Sequence, residues 1–140
     1  AALDEHVETT LLHLRVQQLA SIPDDGAFDA RRLEIRRGLE PAVRSALERD
    51  TASRALETAL VVDRETLERL RASASADVRR GAEIDSARAE LLRGGGAAAG
   101  ARARLHLAEA RRLEPTPEEA LEIERIEASL FGDGSPPSPK

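Results

Sequence analysis

The chain has 140 residues and a mass of 15.1 kDa, and its formal net charge at pH 7 is −5. This charge gives no overall attraction to nucleic acid or to an anionic membrane, and the absence of cysteine excludes disulfides and cysteine-ligated zinc. No apolar run reaches the roughly 18 residues that a membrane-spanning helix needs.

The composition predicts an all-α protein. Apolar residues make up 41% of the chain and aromatic residues only 1%, so Ala, Leu, Ile and Val must form the core. We expect a helical bundle or a short helical-hairpin solenoid of five to seven helices. A single all-helical domain is expected over residues 1–132, followed by a flexible Pro/Ser/Gly tail at residues 133–140.

The first predicted helix covers residues 3–20 and has an unusually wide apolar face. Two stripes run along it at helical spacing. One contains Leu3, Val7, Leu11 and Leu14, and the other contains Leu12, Val16 and Leu19. This face is wider than a coiled-coil seam requires, so we expect the helix to be packed on two sides. Residues 21–26, Ser-Ile-Pro-Asp-Asp-Gly, predict a turn.

The middle of the chain predicts several short helices. One is expected from about Ala30 to near Gly38, because Pro41 is favoured as the first residue of a new helix. Residues with short polar side chains predict three further helix starts. These are Asp50 or Thr51, then Asp63 for a run that stops at Gly81, and then Asp85 or Ser86 for a short helix through Leu92.

Residues 101–131 predict a helical hairpin. Ala103, Leu107, Ala110 and Leu113 mark the inner stripe of its first helix, and Ala120, Ile123, Ile126 and Leu130 mark that of its second. Between the helices, Thr116 and Glu119 form a predicted capping box, with Pro117 at the first helical position. Gly132 is the expected C-terminal cap.

Leu39-Glu40-Pro41 and Leu113-Glu114-Pro115 suggest an internal repeat 74 residues apart, although chance explains the match equally well in so biased a chain. The stretch from Ala103 to Ala120 also resembles the second helix of a tetratricopeptide repeat, its closing proline and the entry to the next helix. The resemblance covers about residues 86–131, and large aromatic and Leu-Gly positions are missing from its first helix. It implies a protein-binding scaffold in which helix 117–130 is a terminal cap.

Thr116-Pro117-Glu118-Glu119 is similar to the helix-opening motif of small periplasmic helical chaperones and metal-stress proteins. The first residue is Ala1 rather than Met, which leads us to expect a processed product or an excised domain. Ala1-Ala2 would suit the residues after a signal-peptidase cut. Localisation therefore stays open between the cytoplasm and, after signal-peptide removal, the periplasm.

The histidines predict no metal or catalytic site. His6 and His13 are seven residues apart, so they share a helix face but lie about 10 Å apart along its axis. We interpret both as polar-edge residues, and His106 as a surface or boundary residue because no Ser or Asp motif accompanies it.

Three other features are interpreted as structural. The glycines at residues 94–100 lack the Gly-Lys-Ser/Thr ending of a phosphate-binding loop and predict a hinge. The arginine pairs are interleaved with acids and predict a solvated face with salt bridges. The glutamates after Pro117 are favoured there by the helix dipole. The residues concerned are Gly94, Gly95, Gly96 and Gly100; Arg31-Arg32, Arg36-Arg37, Arg79-Arg80 and Arg111-Arg112; and Glu118, Glu119, Glu122, Glu124 and Glu127.

The sequence therefore favours a non-enzymatic interaction or assembly module. A protein partner or a second copy is expected, without nucleic acid, membrane insertion, cofactor, metal or small-molecule substrate. The alternative is a periplasmic stress chaperone or metal-responsive protein, in which His6 and His13 would have a role.

Overall fold

The computed structural model describes residues 2–49 and 53–132, and this part of the chain is all-α. Six helices lie in it, which confirms the predicted fold class and helix number. The predicted tail at 133–140 and the cap candidates Asp50 and Thr51 fall outside the described residues. The helices are α1 (Ala2–Ala20), α2 (Asp29–Glu48), α3 (Arg54–Arg71), α4 (Ala76–Arg93), α5 (Gly96–Arg112) and α6 (Pro117–Gly132), and a 3-10 turn at Gly26–Phe28 precedes α2.

Chain contacts divide the protein into two compact units, Ala1–Val78 and Arg79–Lys140. The first contains α1, α2 and α3. The second contains most of α4 together with α5 and α6, since the boundary falls within α4. A single domain over residues 1–132 stays a prediction.

The first unit is a three-helix bundle, because each of α1, α2 and α3 contacts the other two. Each helix contributes buried aliphatic side chains, including Leu12 from α1, Leu39 from α2 and Leu70 from α3. Ser53 caps α3: its Oγ accepts a 3.1 Å hydrogen bond from the backbone N–H of Leu56. The observed cap thus lies just beyond the expected Asp50 or Thr51.

Pro41 does not begin a helix, so the predicted break between Gly38 and Pro41 is wrong. α2 runs without interruption from Asp29 to Glu48. Proline within a helix costs about 3 kcal/mol, but burial of Leu39 before it and Val43 after it contributes roughly 3–6 kcal/mol. Pro41 also lies on the exposed side of α2, where the carbonyl of residue 37 can bond to water.

The suggested repeat is not supported either, because Pro41 lies inside α2. Leu39-Glu40-Pro41 lies inside a helix, whereas Leu113-Glu114-Pro115 forms the turn between α5 and α6. The two segments have the same sequence but different structures, so they do not mark equivalent helix junctions. The composition of the chain explains the match.

Asp63, Asp85 and Gly81 do not end or begin helices, which corrects three further predictions. Asp63 lies within α3, and the other two lie within α4. Both carboxylates are buried and bind arginines in place of the backbone N–H groups that an N-cap would use. Asp63 binds Arg36 of α2, and Asp85 binds Arg88 of its own helix. The actual break is at residues 72–75, where Ser75 Oγ accepts a 3.2 Å bond from the N–H of Val78.

A buried ion-pair cluster joins α2 to α3. Arg36 is 1% exposed, and its guanidinium donates to both carboxylate oxygens of Asp63, with 3.0 Å from Nη2 to Oδ2, and to Glu40 Oε1 at 2.7 Å. Arg32 and Arg80 are buried and paired as well. The prediction that the arginine pairs form a solvated face is therefore wrong for three of the four pairs, each of which has one buried arginine.

The second unit has an aliphatic core shared by three helices. Small alanines alternate with larger residues in it, as the hairpin pattern predicts. Its buried members are Ile84 and Ala87 from α4, Ala103, Leu107 and Ala110 from α5, and Ile123 and Ile126 from α6; Leu91 and Leu130 pack at its edge.

The turn between α5 and α6 forms through local hydrogen bonds. The N–H of Glu119 donates to Thr116 Oγ1 at 3.1 Å, and the N–H of Thr116 donates to Glu119 Oε1 at 3.0 Å, so both bonds of the capping box are present. Glu114 reverses the chain with φ of 60°, and Pro115 follows it. That left-handed residue could not be identified from the sequence, because glycine is the usual choice there.

Breaking the buried cluster is expected to destabilise the first unit strongly. Asp63→Ala leaves the Arg36 charge buried without its main partner and should lower the free energy of unfolding by about 3–5 kcal/mol. Glu34→Ala is the control, because it removes an exposed partner 3.8 Å from Arg31 and should cost less than about 1 kcal/mol. Urea unfolding followed by circular dichroism measures both; equal losses would contradict the prediction.

Removing the capping hydroxyl is expected to destabilise the second unit modestly. Thr116→Ala should lower the free energy of unfolding by about 1 kcal/mol, because the N–H of Glu119 loses its acceptor. Ser129→Ala removes a hydroxyl from the interior of the same helix and should be neutral or slightly stabilising. Chemical denaturation of both variants checks this, and no loss in Thr116→Ala would contradict it.

Candidate interaction groove

Helix α1 has one buried apolar stripe and one that is about half exposed. Leu12 and Leu19 are buried, as one of its two stripes predicts. Residues Val7, Leu11 and Leu14 of the other stripe are 49%, 41% and 45% exposed. Although α1 contacts both α2 and α3, the expectation that both of its stripes are packed is wrong for the stripe of Val7, Leu11 and Leu14.

The exposed stripe borders a groove between α1 and α2, which we call the α1–α2 groove. A cavity of 670 Å³ lies at the end near the 21–28 loop, and one of 300 Å³ lies at the other end. Lining residues on α1 and the loop start reach from residue 7 to residue 21, which corresponds to about 20 Å of helix. The apolar lining consists of Val7, Leu11, Leu14, Ile22, Pro23, Phe28, Ile35, Pro41 and Ala42.

Gly38 allows a close approach at the middle of the groove. An ideal Cβ at this position would lie 3.4 Å from both Cζ and Nε of Arg15, at the close limit of ordinary van der Waals contact. The Arg15 guanidinium therefore lies against the backbone of α2. Arg15 Nη1 also donates to Gln18 Oε1 at 2.9 Å, which holds the side chain in place.

The loop at the end of the groove is held by polar contacts. Asp25 Oδ1 accepts a 2.9 Å bond from the N–H of Ala27 and so caps the 3-10 turn that places Phe28 at the groove. Arg32 Nη2 donates to the carbonyl of Pro23 at 2.7 Å. Arg69 Nη1 donates to Asp24 Oδ1 at 2.6 Å and thus joins the loop to α3.

The Asp24 carboxylate is stabilised by this last contact. Its hydrogen bond with Arg69 and the nearby positive charge hold the pKa of Asp24 below its ordinary value of 3.8. The same hydrogen bond raises the pKa of Arg69. Both groups are ionised at neutral pH, so the contact is a charge-assisted hydrogen bond between two exposed side chains.

The three histidines belong to no cluster of potential metal ligands among the described residues. His6 and His13 are exposed on α1, and no group of three or more His, Cys, Asp or Glu side chains in the described chain is placed to hold a metal ion. His106 on α5 is partly buried, and its Nδ1 lies 2.8 Å from Glu83 Oε1 on α4. It lies at a boundary between two helices.

The glycines near residue 95 form a tight connection. α4 ends at Arg93 and α5 begins at Gly96, so residues 97–100 are helical and not part of the break. Gly96 has a positive φ of 89°. Gly100 is buried in α5, and its added Cβ would lie 3.7 Å from Leu130 Cδ2. A cavity of 540 Å³ lies beside these glycines. Hinge motion at Gly94, Gly95 and Gly96 stays a prediction.

The glutamates of α6 include three that bind arginines. Glu119 pairs with Arg80, Glu122 Oε2 lies 2.8 Å from Arg88 Nη1, and Glu127 Oε1 lies 2.6 Å from Arg111 Nη2. These contacts join α6 to α4 and to α5. Their stabilising role explains these acids without a bound cation.

The apolar stripe of Val7, Leu11 and Leu14 was predictable from the sequence, but its exposure and the groove beside it were not. Arg15, Gly38 and Phe28 were missed as members of a common surface, because their proximity depends on how α1 packs against α2. The available signal was the second apolar stripe of α1, which has more hydrophobic residues than one contact face needs.

No protein-family model, curated protein or solved structure matches this chain. The likeness to tetratricopeptide repeats and to periplasmic chaperones therefore stays a prediction. Among the helices of residues 2–49 and 53–132, none combines the length and the apolar character needed to cross a membrane.

The loop contact predicts an acid-dependent change. Because the pKa of Asp24 is depressed in the folded chain, its stabilising contribution is present above the unfolded pKa and is lost as pH falls through the lower folded value. NMR titration of the carboxyl should give a pKa below 3.8 in the wild type and a higher pKa in Arg69→Gln. Arg31→Gln is the control and should leave the wild-type titration unchanged; an unchanged titration in Arg69→Gln would contradict the prediction.

Proposed function

We propose that the protein is a non-enzymatic interaction or assembly module that binds an amphipathic helix of a partner protein in the α1–α2 groove. The observation that carries the proposal is the stripe of Val7, Leu11 and Leu14, which runs at helical spacing along a groove and lies about half exposed. Grooves of this kind recognise helices through apolar anchors at spacings of three and four residues.

The exposed residues concentrate at this surface. Seven large hydrophobic side chains in the described part of the chain are exposed, and four of them border the groove. Scattered apolar side chains are ordinary on a protein surface, but a contiguous row rimmed by polar groups is typical of a binding site. The four are Val7, Leu11, Leu14 and Phe28.

The dimensions fit a helix. About 20 Å of groove matches three to four turns of an α-helix, or about 14 residues. Both cavities of the groove are open to solvent, and their linings combine apolar side chains with Arg, Glu and Gln. An apolar centre with a polar rim is the usual composition of a reversible protein interface.

The energetics indicate a reversible complex. Burying the exposed halves of the four hydrophobic side chains would contribute roughly 3–6 kcal/mol. Association costs several kcal/mol of translational and rotational freedom, and a Kd of about 1 mM already corresponds to about 4 kcal/mol. Apolar contacts alone therefore give a weak complex, and polar contacts at the rim must supply part of the affinity.

Site-specific photo-crosslinking in the native cell tests this function. A benzoylphenylalanine at Leu14 should crosslink to a helical segment of a partner, whereas the same group at Val61 should not, although Val61 is similarly exposed at 42%. Adding Leu11→Glu should abolish the adduct, because it places a charge in the apolar row. Circular dichroism should show an unchanged helix content in that variant. Equal labelling at both positions, or labelling that survives Leu11→Glu, would overturn the proposal.

A further inference from the structure

We infer that the α1–α2 groove selects a partner helix carrying a carboxylate, which pairs with Arg15 at the centre of the groove. This inference rests on the proposed function, since it names the chemistry of the helix that the groove would bind. Three observations carry it: the position of Arg15, its lack of a carboxylate partner among the described residues and the charge of the residues that line the larger cavity.

Arg15 occupies the centre of the groove. It follows Leu14 directly, lies four residues after Leu11 and is partly buried. Its guanidinium lies against the backbone at Gly38 on the opposite helix and is held by Gln18. A helix bound across Leu11 and Leu14 would therefore cover a guanidinium that is already positioned.

The charge of Arg15 has no carboxylate partner among the described residues, where Gln18 Oε1 is its hydrogen-bond acceptor. The other arginines that line the groove differ in this respect. Arg49 Nε lies 3.1 Å from Glu8 Oε2, and Arg31 Nη1 lies 3.8 Å from Glu34 Oε1. Arg15 thus offers the groove a cation with N–H donors to spare.

The larger cavity has a positive local charge within an acidic protein. Arg15, Arg31 and Glu34 line it, which gives a net charge of +1, whereas the whole chain has −5. A local field of this sign favours an acidic ligand and disfavours a basic one.

Burial of the Arg15 guanidinium under a bound helix would favour a helix that carries an acidic residue. A purely apolar helix laid over Arg15 would remove water from the guanidinium without replacing its hydrogen bonds, which is unfavourable. An Asp or Glu on that helix would restore them, and the planar guanidinium can bind a carboxylate through two parallel hydrogen bonds. The apolar row sets the register of the helix, and Arg15 selects its sequence.

Selection from a displayed library of helical peptides tests the inference. The library has leucines fixed at spacings of four and three residues, matching Val7, Leu11 and Leu14, and all other positions are randomised. The full chain is the target as wild type, Arg15→Gln and Arg15→Glu. Wild type should enrich Asp or Glu at one position, Arg15→Gln should lose this enrichment, and Arg15→Glu should replace it with Lys or Arg.

Affinity measurements on one selected peptide make the test quantitative. Replacing its acidic residue by Gln or Asn should weaken binding to wild type about tenfold or more and leave binding to Arg15→Gln nearly unchanged. Arg31→Gln is the matched control, because Arg31 lines the same cavity but has its own carboxylate, and it should keep the acid preference.

The outcomes separate the two proposals. Helical peptides that compete for the groove without an acid preference, or with one that persists in Arg15→Gln, would overturn the inference and leave the proposed function standing. If no selected peptide loses its binding when Leu11→Glu is the target, both the inference and the proposed function are overturned. Sedimentation that shows a dimer disrupted by Leu14→Glu would also overturn the inference, because a second copy would then cover the groove.

Discussion

The buried guanidinium of Arg36 sets the orientation of α2, and the groove depends on that orientation. Arg36 is 1% exposed and bound to Asp63 on α3, so this face of α2 is directed toward α3. At about 100° per residue, Gly38 and Ser45 lie roughly opposite Arg36. Both line the groove. A rotation of α2 about its axis would move Gly38 and Ser45 out of the groove, and it would also break the buried ion pair between Arg36 and Asp63.

A core nearly without aromatic residues explains why charges are used inside the protein. Alanine and leucine fill closely packed helices but impose little directional preference. Paired Arg, Asp and Glu side chains add direction, because a buried charge must meet its partner or lose several kcal/mol. In the second unit, partly buried ion pairs join α4 to α6 through Arg80 with Glu119 and Arg88 with Glu122.

Helical periodicity predicted the helix class, the extent of α1 and the α5–α6 hairpin, because these depend on neighbours within about four residues. The errors lay at Pro41, Asp63 and Asp85, where local rules predict a helix start. In the structure, Leu39 and Val43 are buried on either side of Pro41, and the two aspartates bind distant or neighbouring arginines. The groove was not predictable either, since Arg15 and Gly38 meet only when two helices pack.

The two stripes of α1 have different roles because they differ in burial. Leu12 and Leu19 are buried and fold the first unit, whereas Leu11 and Leu14 keep about half of their surface in water. A fully exposed stripe would favour aggregation, and a fully buried one would leave nothing to bind. In the proposed complex, the exposed half of this stripe is the surface that a partner helix would bury. Because the apolar gain from burying half-exposed side chains is small, the proposed contact with Arg15 would decide which helix the groove binds.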